Sequence, residues 1–161
     1  MVTVIINIIL GIAFLYIYKK HVDFKKRQMG KTFYIPQEEI LDDLQAEFLG
    51  LLNAYRISKG LNEVIPEALC STMATARIVR ANKIMFSHAT FEYYKRRLEE
   101  NNFVEVGEIM AKEYDTVQSM FNNYIKSKNH RQYIEDPKIK YVGLGVIDHY
   151  SNYYSCIIFT F

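Results

Sequence analysis

Cysteine is scarce in this chain: Cys70 and Cys156 are the only two among 161 residues. A scaffold stapled by several disulfides is therefore excluded, since at most one bridge can form. Each cysteine also suits a buried free thiol, Cys70 on the apolar face of a helix and Cys156 inside a strand, and two free thiols are the expectation. Net charge is nearly absent as well. A formal +2 at pH 7, with basic residues that do not line one helical face, argues against a nucleic-acid partner. Internal repeats and low-complexity tracts are missing, and the length leaves no room for a second catalytic domain. Nor does the sequence set a nucleophile beside a histidine. Ser87 adjoins His88, but neighbours in a chain seldom face each other, and Ser127 is no better placed. What is present, 50% apolar and 24% charged residues, describes one globular domain with an accessory segment.

Charge is lacking altogether from VTVIINIILGIAFLYIY, residues 2–18. As a helix this run would be about 25 Å long at about 1.5 Å per residue, near the lower limit for spanning a bilayer. Tyr16 and Tyr18 fall where interfacial aromatics sit, and Lys19, Lys20, Lys25, Lys26, Arg27 and Lys31 follow at headgroup level. The expected organisation is a single-pass membrane anchor over 1–18, a basic linker over 19–34 interrupted by Gly30, and a folded domain over 35–161. A cleaved signal peptide fits less well, because no Lys or Arg precedes the run and its one small-x-small triplet, Gly11-Ile12-Ala13, lies inside it. A buried core helix fits less well too, because the run is apolar on every side. The positive flank favours a cytoplasmic domain.

Within the domain, PQEEILDDLQAEFLGLLNAYRIS reads as a helix opened by Pro36 and closed by Gly60, with Leu41, Leu44, Phe48, Leu51, Leu52 and Tyr55 facing inward. Pro66 is expected to open a second helix with an apolar stripe of Leu69, Cys70, Met73, Ala74, Ala81, Ile84 and Met85. Arg77 falls inside that stripe, so it must find a buried acidic partner or snorkel to an edge. A short charged helix, FEYYKRRLEE, follows. Asp115 and Gln118 form a capping box for the next helix, whose Val117, Met120, Phe121, Tyr124 and Ile125 face inward. FVEVGEIMAK reads as a short strand. YVGLGVID and YYSCIIFTF, joined by His149-Tyr150-Ser151-Asn152, read as an antiparallel hairpin. Helices first and strands last give an α+β class with helices over a small antiparallel sheet.

Three candidate ligands stand out: His88 after a helix, Glu108 in VGEIM, and His130 in SKNHRQYI. Lys128 and Arg131 flank His130, and two cationic neighbours push an imidazole towards its neutral, metal-binding form. The plainer reading of the same segment is a solvated basic helix end suited to the helix dipole. Two imidazoles and a carboxylate are a known ligand set for zinc. Their long spacing does not by itself bring them together.

The order LLNAYRISKGL, FSH, VGEIM, SKNHRQYI, YVGLGV resembles the SCP-like domain of the CAP superfamily, which groups cysteine-rich secretory proteins, antigen 5 and plant pathogenesis-related proteins. The likeness is closest to compact bacterial members, which run N-x-x-R, S-H, G-E-N, S-P-G-H-R and V-G-V-G, and it covers roughly residues 37–161. It implies a three-layer α-β-α sandwich with a cleft lined by two histidines and one or two acidic residues, here His88, His130 and Glu108. It implies structural roles for Asn53 and Arg56, and favours an extracytoplasmic domain. Ile109 stands where the family has asparagine, Lys128 and Asn129 stand where it has proline and glycine, and a second cleft acid has no counterpart. Three functional readings follow. The first is a membrane-anchored module, not an enzyme, whose cleft binds a metal such as zinc, a small ligand or a protein. The second is a zinc hydrolase with His88 and His130 as ligands and Glu108 as ligand or base. In the third, the polar cleft is purely structural.

Overall fold

A computed structural model describes residues 41–161. Pro36, the anchor over 1–18 and the linker over 19–34 lie outside the described residues, and among those described no helix is long and apolar enough to cross a membrane. The first helix, α1 (Asp43–Ser58), is opened by Asp42. The Asp42 carboxylate accepts from the Gln45 amide at 2.9 Å, and the Gln45 side chain accepts from the Asp42 amide at 3.2 Å. This reciprocal capping box fixes the start at Asp43, so a helix running unbroken from Pro36 is corrected: Asp42 is extended. Phe48 and Leu52 are buried, as the spacing requires, and so are Gln45 and Arg56.

Pro66 does not open the second helix either. It lies in a two-residue strand, β1 (Ile65–Pro66), while Glu67 caps α2 (Ala68–Lys83) by accepting from the Cys70 amide at 2.7 Å. The amides on either side of the proline donate to backbone carbonyls, Ile65 to Lys140 and Glu67 to Val142. A residue with no N–H is tolerated there because the strand lies at the sheet edge. The buried face of α2 is Cys70, Ser71, Ala74, Arg77, Ile78 and Ala81. Ile84 and Met85, expected inside, are exposed because the helix stops at Lys83 and the apolar face stops with it.

A 3-10 turn (His88–Thr90) leads into α3 (Phe91–Glu99), β2 (Gly107–Tyr114), α4 (Val117–Lys126) and α5 (Lys128–Ile134), then β3 (Tyr141–His149) and β4 (Asn152–Thr160). The capping box of α4 is Thr116 with Ser119, one residue beyond the expected Asp115 and Gln118. Thr116 is the residue that turns extended, and its hydroxyl accepts from the Ser119 amide at 3.0 Å. Tyr150 and Ser151 make the hairpin turn with φ of 52° and 61°, the left-handed backbone that a tight two-residue loop needs to match strand twist.

The sheet runs β1-β3-β4-β2. The two long pairings are antiparallel and β1 joins β3 in parallel, so the expected antiparallel sheet is mixed at one edge. Both edges are irregular: β1 carries the proline, and β2 breaks register between Ala111 and Tyr114, where Glu113 has φ of 63°. Alternation along the strands feeds a core on each face. On one face Ile109, Leu144, Ile157 and Phe159 pack with Phe48, Leu52, Met120, Phe121 and Tyr124. On the other, Met110, Cys156 and Ile158 pack with Ala74, Ile78, Ala81 and Leu98. Here α2 lies directly on β3. A Cβ at Gly143 would stand 2.2 Å from the Cys70 carbonyl carbon, and one at Gly145 would stand 2.4 Å from that of Ala74. Both cysteines are buried and free.

Candidate functional site

The site begins with the charge in the stripe of α2. Arg77 is fully buried and pairs with Glu108, Nη2 to Oε1 at 3.2 Å. The same nitrogen donates to the Ser87 carbonyl and to the sulfur of Met110. Tyr94 of α3 sets its ring 5.7 Å from the guanidinium carbon, a cation–π contact within the core.

Glu108 is the second residue of β2 and shares its face with Met110, so the carboxylate points into the layer occupied by α2. Its side chain is 2% exposed. One oxygen takes Arg77 and, at 2.8 Å, Nδ1 of His88; the other takes the Cys156 thiol at 3.4 Å. Burial, and after it the neighbouring Glu108 carboxylate, push the Cys156 thiol well up, so it remains a protonated donor. A carboxylate can only accept, so Nδ1 of His88 is the donor in this contact. The His88 side chain is 60% exposed, so this imidazole is tethered at one edge and open to solvent elsewhere.

His130 arrives differently from the expectation. It does not sit where the preceding helix runs out; it lies in the first turn of a separate short helix, α5, which starts where Ser127 ends α4 in extended conformation. Its ring stands edge-on to Tyr124 at 5.1 Å, and its Nδ1 is buried with no partner among the described residues. Its pKa is lowered, first by burial and then by His88. The direction matches the sequence argument but the cause does not. Arg131 points away, donating to the Ile125 carbonyl at 2.9 Å and pairing with Glu135 at 3.8 Å.

His88, Glu108 and His130 line one open cleft together with Asn129, Gln132 and Tyr133. Sequence reasoning missed the last three. Tyr133 stacks on Phe159 at 6.1 Å and lies so close to β2 that a Cβ at Gly107 would meet its Cε1 at 2.5 Å. The glycine of VGE is the signal that a ring crosses there, though it does not say which ring. Asn53 and Arg56 stand away from the cleft. Asn53 exchanges two hydrogen bonds with the backbone of Val64, at 2.9 and 3.1 Å. Arg56 donates to the carbonyls of Asn62, Ile134 and Asp136, and Tyr55 donates to Glu135 at 2.6 Å. Together they hold the far end of the helix that carries His130.

The depressed His130 pKa has a measurable consequence. The folded chain resists protonation there, so it binds fewer protons than the unfolded chain just below the ordinary imidazole value of about 6.5. The stabilisation is complete above that value and is lost progressively as pH falls below it through the lowered folded value. In metal-free buffer, urea titrations from pH 7.5 to 5 are expected to show falling stability, with a shallower fall in His130→Gln. Equal slopes in the two chains would refute the assignment.

The two imidazoles line the open cleft, and the Glu108 carboxylate is bonded to Nδ1 of His88. Among the described residues, no group of three or more His, Cys, Asp or Glu side chains is arranged to share a metal ion. The model of the cysteine-rich secretory protein family, CAP, matches residues 49–161. No curated protein matches the chain. Among solved structures, an outer surface protein of Borrelia burgdorferi is similar with a TM-score of 0.66 and 12% identity over 74% of this chain and 95% of that one. An extracellular SCP-domain protein of Bacillus anthracis gives 0.62 and 20% identity over 78% of this chain, which spans only 43% of that protein. Manganese-bound Ac-ASP-7, an Ancylostoma-secreted protein, gives 0.50 and 12% over 75% of this chain and 70% of that one. At these identities the structures establish a shared fold. The match over residues 49–161, on a fold that brings FSH, VGE and SKNH to one cleft, places this chain in the cysteine-rich secretory protein (CAP) family.

Proposed function

We propose that the domain is a binding module, tethered to a membrane through residues 2–18, whose cleft holds a divalent cation such as zinc between His88 and His130, with water completing its coordination. The observation that carries this reading is the engagement of Glu108. Both of its oxygens are committed, to Arg77 and His88 on one side and Cys156 on the other, and the group is buried. A general base needs a free carboxylate within reach of a water at the reacting centre. Glu108 instead stands behind His88, the arrangement in which a carboxylate fixes the tautomer and orientation of a ligating imidazole. The residues present therefore fit a two-imidazole site better than a three-ligand catalytic zinc. That Ac-ASP-7 occurs manganese-bound is in keeping with a divalent ion on this fold.

Calorimetric titration with zinc tests the reading. His88→Ala and His130→Ala are each expected to lose more affinity than the roughly 10- to 100-fold typical of removing an outer-shell partner, and Glu108→Gln to lose an amount within that range. Zinc binding that survives unchanged in the double histidine variant would defeat the proposal. Turnover of an ester or peptide that disappears in Glu108→Gln while zinc is retained would favour the hydrolase.

A further inference from the structure

We infer that Arg77 is a positioning residue for the cleft: through one nitrogen it grips both the acceptor that faces the His88 ring and the backbone that delivers His88. His88 poses a mechanical problem. Its side chain is 60% exposed and it opens a three-residue turn, a place where an imidazole would ordinarily sample several rotamers and both tautomers. Two contacts restrain it. The first is the bond from its Nδ1 to Glu108 at 2.8 Å. The second is the path of the chain into the turn, set at Ser87, whose hydroxyl accepts from the Ala89 amide at 3.3 Å. Arg77 Nη2 reaches both, donating to the Ser87 carbonyl and to the Glu108 oxygen that His88 uses.

The guanidinium itself is held by the interior. Arg77 is fully buried, with the Tyr94 ring beside it and the Met110 sulfur 3.4 Å from Nη2. Its Nε and Nη1 are buried and have no partner among the described residues. A side chain kept solely for stability would be expected to spread its donors over several acceptors. This one concentrates its contacts with Ser87, Glu108 and Met110 on Nη2, at the point next to His88. Without Arg77 the Glu108 carboxylate would lose the contact that fixes its place between His88 and Cys156, and the loop at Ser87 would lose its tie to α2. His88 would then relax towards the Nε2–H tautomer that a free imidazole prefers, which removes the Nε2 lone pair.

The inference rests on the proposed metal site for its affinity arm only; its tautomer arm is independent. In the full chain, long-range proton–nitrogen correlation spectra at pH 7.5 without metal are expected to show His88 as a single Nδ1–H form. Arg77→Met preserves the apolar stem and removes the donors. It is expected to mix the His88 tautomers and to weaken zinc binding about 10- to 100-fold. If Arg77→Met does not fold, Arg77→Lys, which retains charge and most of the stem, is expected to mix the tautomers in the same sense. His88 remaining wholly Nδ1–H in a folded Arg77 variant, or mixed already in the unaltered chain, would overturn the inference whatever the zinc result. If the unaltered chain takes up no zinc, the binding proposal fails, and the tautomer spectra still decide the role of Arg77.

Discussion

A chain carrying Gly143→Ala will lose about 3 kcal/mol of stability or more, at the upper end of overpacking penalties. The added methyl would stand 2.2 Å from the Cys70 carbonyl carbon and 2.4 Å from its oxygen, and both are backbone atoms of α2. Backbone cannot rotate out of the way as a long side chain can, so the helix must lift from β3 along its buried face. Gly145→Ala, against Ala74, is expected to behave alike. Gly50→Ala provides the contrast. That position is helical and exposed, with nothing within 4 Å of the added atom, so the change should stabilise by about 0.5–1 kcal/mol. Urea denaturation of the three variants checks this, and a Gly143→Ala chain within 1 kcal/mol of the parent would show that α2 does not rest on the strand as described.

Arg56→Ala will cost about 3–5 kcal/mol, because it strips the donor from three carbonyls that the fold gathers around one side chain. Nε serves Asn62, while Nη1 serves Ile134 and Asp136. The residue is fully buried, and burial lowers its pKa. Lysine offers one nitrogen in place of two separated ones, so Arg56→Lys should recover little of the loss. The damage should also be local in a way that a cavity alone would not produce. Amide exchange in α5 should accelerate more than in β3, since Ile134 closes the helix that carries His130. Uniform acceleration across both elements would mean that Arg56 supports the fold without fixing α5.

The spacing of Phe48 with Leu52, and of Met120 with Phe121 and Tyr124, was enough to orient α1 and α4, because a helix buries the stripe that its period creates. Boundaries were harder wherever the deciding contact lies far along the chain. Pro66 reads locally as a helix opener, yet the bonds that its neighbours make to Lys140 and Val142 hold it in a strand. Ile84 and Met85 continue an apolar pattern beyond the last residue that has a core to face. At the site, Arg77 announced itself as a charge in an apolar stripe, but its partner is 31 residues away and no local pattern names it. That His88, Glu108 and His130 share one cleft was legible in the order of short motifs. The bonding of Glu108 was not, because it depends on which face of β2 carries Glu108 and on the thiol of Cys156 waiting there.

Strand β4 occupies an interior place in the sheet, between β3 and β2, although it is made last of the four. During synthesis β2 has no sheet neighbour until residues 152–160 have been added, and the apolar faces of α1, α2 and α4 have no completed sheet to cover. Strand β1 can pair with β3 beforehand, but β2 cannot join the sheet until β4 is available, and that pairing closes late across a large sequence separation. Until that closure, the apolar face of β2 lacks its sheet neighbour.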